Sequence, residues 1–252
     1  MKNILHITVL FFLVTLVSQA VTRGDVKVIE ASENIRFLSQ KLVKDYLFLY
    51  KYPSKIEVKD TLNRSLVKLT EDIRIIATTT KDSDTKDILE FLAYSKDQIS
   101  EIFTGNPDEK KAALMLDYSE TLLEGADSIA LAHKYDFSEE EKMLMVTKKM
   151  EYLLERITKY YVAINVGFGT PTNQDAMQEA IKRFEENIQQ VNGYKYPAKQ
   201  VRLQVKLNSS WEANKIFFLK YKELFIPVLM FSSLDYFENI ISILALYHSK
   251  NQ

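Results

Sequence analysis

Residues 26–50 read VKVIEASENIRFLSQKLVKDYLFLY, and their spacing decides the fold. Apolar or small side chains recur at Val28, Ala31, Ile35, Leu38, Leu42 and Leu49, the three-and-four spacing of a buried helical face. A second line follows the same period through Ile29, Ser32, Arg36, Ser39 or Gln40, Val43, Leu47 and Tyr50. A helix apolar on two sides has two neighbours, and among the helices of this chain only the first carries such a second stripe. Tyr52-Pro53-Ser54 ends it, because proline disfavours helical geometry in the residue before it.

Working outward, the chain resembles itself at an offset of about 115 residues, without a gap. Lys44 and Tyr46 fall on Lys159 and Tyr161, Asp60 on Asp175, Ile73 on Ile188, Ser95 on Ser210 and Phe103 on Phe218. Leu114-Met115 falls on Leu229-Met230, and Ala130-Leu131 with His133 falls on Ala245-Leu246 with His248. Apolar positions agree too: Leu62, Leu66 and Leu69 match Met177, Ile181 and Phe184. The expected fold is therefore all-α, two tandem four-helix up-down bundles over residues 21–137 and 138–252.

In the first copy the spacing predicts helices over 26–50, 56–79, 86–103 and from Pro107 to about residue 134, with Asn106 as N-cap of the fourth. In the second it predicts helices over 139–165, 173–191, 199–220 and 227–249. Ser138 with Glu141 forms a capping box at the start of the second copy. Gly167-Phe168-Gly169-Thr170-Pro171 follows a helix rather than a strand and lacks a Lys-Ser/Thr signature, so it is a turn and not a phosphate loop.

Residues 1–20 read as a cleavable signal peptide, with Lys2, an apolar run over 4–17 and the small-x-small site Ser18-Gln19-Ala20, so the mature chain is expected to begin at Val21. The alternative is an uncleaved anchor. No later stretch is expected to span a membrane, since Lys220, Lys222, Glu223, Asp235 and Glu238 interrupt the richest one, residues 216–246. Removing Lys2 turns 33 basic residues into 32 against 34 acidic ones, a charge of about −2 that leaves no electrostatic footprint for nucleic acid. The chain has no cysteine, so packing rather than disulfides must hold a chain that is expected to be exported.

The residues offer little for catalysis, and the expectation is that the chain is not an enzyme and holds no cofactor or metal. His133 and His248 each stand in the last turn of a fourth helix, where an imidazolium meets unpaired carbonyls and the negative end of the helix dipole. No Cys/His cluster or His-x-x-x-His spacing supplies a metal site. The aromatic residues, including Trp211, Tyr160-Tyr161 and Phe217-Phe218, fall near helical spacing and are expected in the core. Asn63-Arg64-Ser65 and Asn208-Ser209-Ser210 match the glycosylation pattern but lie inside expected helices.

Arg36 sits mid-stripe among the small polar residues Ser32, Ser39 and Gln40. A buried guanidinium requires an anion or an acceptor cluster, and its planar fork suits carboxylate, phosphate or a small planar oxyanion. The alternative is a surface arginine paired with Glu33. The run from Ala31 to Leu47, with Arg36-Phe37-Leu38-Ser39-Gln40-Lys41 at its centre, resembles the first helix of the PilJ-type domain of type IV pilus chemotaxis transducers and is similar to the NarX-type nitrate/nitrite sensor domain. The resemblance implies a periplasmic sensory bundle in which Arg36 binds nitrate, nitrite or a similar small anion where two first helices meet, signalling through a membrane-bound sensor kinase or chemoreceptor.

This chain departs from that pattern in carrying Phe37 after the arginine and no glycine before the motif, and the second copy has lost it: Glu151 stands at the Arg36 position and Leu154-Glu155 at Ser39-Gln40. Two arrangements follow. In an internal pseudo-dimer Glu151 approaches Arg36 and takes the anion's place. In a homodimer two Arg36 side chains converge on an anion. An adaptor that binds no ligand is the competing function.

Overall fold

A computed structural model describes residues 24–133 and 135–252, apart from the side chains of Ile56 and Val228; of residues 2–23 only the helical course is given. The expected signal peptide and its cleavage site therefore lie outside the described residues. Every regular element among the described residues is helical: α1 (Lys2–Lys51), α2 (Ile56–Thr79), α3 (Ser83–Phe103), α4 (Glu109–Ala132), α5 (Glu139–Ala163), α6 (Pro171–Gly193), α7 (Ala198–Leu219) and α8 (Pro227–Asn251). The all-α expectation holds.

Local chemistry sets the boundaries. Ser138 accepts from the Glu141 amide at 3.2 Å while Glu141 accepts from the Ser138 amide at 2.8 Å, the expected capping box. The fourth helix starts later than expected: the N-cap is Asp108, which accepts from the Lys111 amide at 2.8 Å, and not Asn106. An aspartate with a free helical turn ahead of it outcompetes the Asn-Pro pair two residues earlier. Similarly, Asp82 caps α3 through the Thr85 amide at 2.7 Å, so that helix begins before Lys86. After α5 a single π-turn, Ile164–Phe168, carries Gly167 at a φ of 114°, a left-handed geometry that favours glycine, and the segment is a turn as expected.

Helix α1 packs on α2 and α4 of its own copy and on α5, and α5 in turn packs on α6 and α8. The remaining neighbours, α2 on α3, α3 on α4, α6 on α7 and α7 on α8, close each set of four. One continuous core runs through both copies, from Val28 and Leu42 to Phe184, Trp211 and Phe237. The second stripe of α1 thus has its neighbour. It is not unique: α5 is buried almost all round, but its second face contains Thr147, Glu155, Thr158 and Lys159, polar side chains that conceal the stripe in the sequence.

One expectation about apolarity fails. Within α8 the stretch Leu229–Asn251 is long and apolar enough to cross a membrane. Of the five charges thought to interrupt it, Lys220, Lys222 and Glu223 precede the helix and only Asp235 and Glu238 lie inside. In this fold α8 is the fourth helix of its set, packed on α5 and α7, and a core helix of this kind satisfies the same length and composition.

Candidate functional site

The seam between α1 and α5 brings the candidate residues together. The helices run parallel, since Asn34 meets Lys148 at 2.9 Å, while further along both helices Gln40 meets Arg156 at 3.5 Å and Lys44 meets Glu155 at 2.9 Å. Repeat-equivalent helices therefore face each other in near register, the arrangement of a pseudo-dimer within one chain.

Arg36 is largely enclosed at this seam, and its guanidinium is already shared. One amino group pairs with Glu33 one turn back, and Nε pairs with Asp127 of α4. Glu33 is itself buried; burial pushes its carboxyl above the usual range and Arg36 pulls it back. Two carboxylates thus meet one cation, and the local field opposes a further anion. Ser32, Ser39 and Gln40 are fully buried. The Ser32 hydroxyl donates to the Val28 carbonyl at 2.9 Å and the Ser39 hydroxyl to the Arg36 carbonyl at 2.7 Å, while Gln40 donates to Ser39 at 2.9 Å. These groups find their partners on α1, and Gln40 also on Arg156 of α5, rather than converging on an open space.

Glu151 does not approach Arg36. It accepts from the Ser242 hydroxyl of α8 at 2.5 Å and lines a cleft of about 440 Å³ with Asn34, Phe37, Asp72 and Glu238. The pseudo-symmetry explains why. Position 242 repeats position 127, so each first helix turns the Arg36/Glu151 position toward its own fourth helix. Burial raises three of the carboxyls lining this cleft: Asp72 to about 6, Glu238, with Glu155 nearby, to about 7, and Glu151 in the same direction.

The side chains that do cross the seam are others. On one side Lys44 meets Glu155 at 2.8–2.9 Å, both nearly without solvent contact, with Lys41 3.6 Å from the same carboxylate. Burial works against both charges, but Glu155 and Asp45 hold the Lys44 ammonium firmly protonated, and Lys44 and Lys41 keep Glu155 below the usual range. On the opposite side Glu120 of α4 accepts from Arg156 at 2.9 Å, Lys159 at 2.5 Å and Tyr160 at 3.1 Å. Burial raises Glu120, but Lys159 and Arg156 outweigh it and hold the carboxyl near 2. Lys159 is fully enclosed, and burial drives its ammonium down to about 7 against the pull of Glu120.

The histidines form a second repeated feature. Nδ1 of His133 lies 2.7 Å from Asp25, and Nδ1 of His248 lies 2.6 Å from Glu140, each carboxylate 108 residues before its histidine. On the far nitrogen stand Thr85 at 3.3 Å and Tyr196 at 2.8 Å respectively. The imidazoles therefore latch the fourth helix of each copy to its first, instead of closing terminal carbonyls. Sequence reasoning missed Asp25 and Glu140, although both are acidic and repeat-equivalent. Among the described residues no group of acidic or histidine side chains is arranged to hold a metal ion.

The chain matches no protein-family model, no curated protein and no solved structure. The likeness of residues 31–47 to chemotaxis and nitrate sensor domains rests on that short motif alone.

Proposed function

We propose that this chain is a non-catalytic helical interaction module, an adaptor in which the second copy permanently occupies the first-helix face that a sensory dimer would use. The observation that carries this reading is Arg36, whose guanidinium is held between Glu33 and Asp127 inside its own bundle. A receptor arginine needs an unshared face for its anion, and here two carboxylates take that face. Surface chemistry supports a binding role. The exposed Leu131 and Leu246 are repeat-equivalent, so duplication has kept an apolar side chain in solvent at the end of both fourth helices. On this reading the adaptor works in the periplasm, and its partner is a membrane-bound protein such as a sensor kinase or chemoreceptor.

Calorimetry with nitrate and nitrite separates the two functions. The adaptor reading predicts no saturable heat in the millimolar range, whereas saturable binding that disappears in Arg36→Ala restores the anion receptor. A photoreactive residue placed at Leu131 or at Leu246 should capture the same partner from both positions in the native host, and none when placed at the exposed Thr70 of α2. Capture from Thr70 alone contradicts the proposed faces.

A further inference from the structure

At the end of the first bundle away from His133, a cavity of about 60 Å³ lies between α1, α2 and the α3–α4 connection, lined by Tyr46, Leu49, Lys59, Leu62, Phe103 and Pro107 together with Asn63 and Gly105. Tyr46 forms its floor. The side chain is buried, with 1% of its surface exposed, and its ring stacks on Phe103 with centroids 6.0 Å apart. The Tyr46 hydroxyl has no hydrogen-bond partner within the chain. A buried donor left unsatisfied costs free energy, so its retention calls for an acceptor from outside the chain.

The second copy shows the closed alternative. Tyr161, at the Tyr46 position, donates its hydroxyl to the Leu224 carbonyl. Lys59 is replaced there by Gln174, whose side-chain oxygen accepts from Tyr221 at 2.9 Å. In the first copy neither Lys59 nor Asn63 has a hydrogen bond or ion pair from its side chain among the described residues. The first copy thus gathers the buried Tyr46 hydroxyl and the unpaired, solvent-exposed side chains of Lys59 and Asn63 around one cavity, whereas the second has internal partners at the Tyr46 and Lys59 positions.

We propose that this cavity binds a short-chain carboxylate, its carboxyl group accepting from the Tyr46 hydroxyl, Lys59 and Asn63 and its apolar end resting on Leu49, Leu62 and Phe103. The volume suits a ligand of about four or five non-hydrogen atoms, because one water needs roughly 10–15 Å³ of such space. The ammonium of Lys59 selects a negative charge, and the apolar walls select a hydrocarbon end over an inorganic oxyanion. The one carboxylate nearby, Asp108, is committed to the Lys111 amide at 2.8 Å and faces the Lys111 ammonium at 3.9 Å. Burial, with Asp108 adding to it, raises the Tyr46 hydroxyl to about 12, so it remains a donor across the physiological range. This site is independent of Arg36 and of the adaptor reading.

The test is a titration of the full chain with acetate, propionate and inorganic phosphate, followed by calorimetry and by saturation transfer to the propionate methyl group. Propionate should bind saturably, and both Tyr46→Phe and Lys59→Gln should weaken it at least about tenfold, the loss expected for a hydrogen bond to a charged group. Tyr46→Phe keeps the ring and removes only an unsatisfied hydroxyl, so its thermal stability should equal or exceed that of the parent. Absence of propionate binding, which would leave the cavity to water, overturns the proposal. So does phosphate binding without propionate, or an unchanged propionate affinity in either variant.

Discussion

Replacing Lys44 with methionine leaves Glu155 buried in the seam between the two copies, 97% removed from solvent and without its ammonium partner at 2.8 Å. Breaking a buried pair by removing one member costs about 3–5 kcal/mol, because the surviving charge has lost both water and counterion. Lys41, 3.6 Å from the same carboxylate, recovers part of that, so a loss of about 2–4 kcal/mol is expected. At about 2–4 °C per kcal/mol for a chain of this size, the melting temperature falls by roughly 4–16 °C. Adding Glu155→Leu removes the stranded charge and fills its place with hydrocarbon, so the double variant should be more stable than Lys44→Met alone, with a coupling energy of about 2 kcal/mol or more. Urea denaturation of the four proteins closes the cycle. Additive effects, with a coupling below about 0.5 kcal/mol, would refute the claim that these residues meet across a dry seam.

Three further outcomes follow from the same structure. Stability should pass through a minimum near neutral pH: Glu238 at about 7 and Asp72 at about 6 lie above their unfolded values, so the stability they contribute in acid is lost as pH rises through those values, whereas Lys159, lowered to about 7, destabilises most below that pH and is relieved as pH climbs toward its unfolded value. Thermal melts from pH 5 to pH 10 should show both limbs, Glu238→Gln flattening the acid one and Lys159→Met the alkaline one. Gly125→Ala places a methyl group 2.5 Å from Cδ2 of the buried Leu92 where α3 meets α4, and the overpacking, about 1–3 kcal/mol, should exceed any gain in helix propensity; an equal or raised urea midpoint contradicts that contact. Glu140→Ala strips acceptors from both Tyr194 and His248 and should cost about 2–3 kcal/mol, more than Asp25→Ala, which orphans His133 alone; equal urea midpoints would show that the second latch is no stronger than the first.

Much of the fold is legible in the sequence because helices announce themselves through period and punctuation. Expected and observed bounds coincide for α2, and the Ser138 capping box stands where its residues say. Caps are harder to read where two candidates compete within a turn, as with Asn106 and Asp108, since the choice depends on where the preceding turn delivers the chain. The duplication reaches further than identities indicate, for it places Asp25 and Glu140 under their histidines. The candidate site is less legible. That Arg36 shares a helix face with Ser32 and Ser39 follows from period alone. That Asp127 waits opposite it on α4 depends on how two helices rotate against each other, which local spacing does not encode. Glu151 went astray for the same reason: equivalence by repeat sets its position along α5, and its direction follows from the symmetry of each copy with its own fourth helix.

The internal pairing of α1 with α5 can be tested with cysteines, since the native chain has none to confuse the result. Asn34 and Lys148 hydrogen-bond across the seam at 2.9 Å, and replacing both with cysteine lets a short bis-maleimide bridge them. The account predicts a bridge within one chain, migrating as a monomer on a denaturing gel, formed equally well at dilutions that abolish association. Bridges that form only between chains, and vanish on dilution, would contradict it.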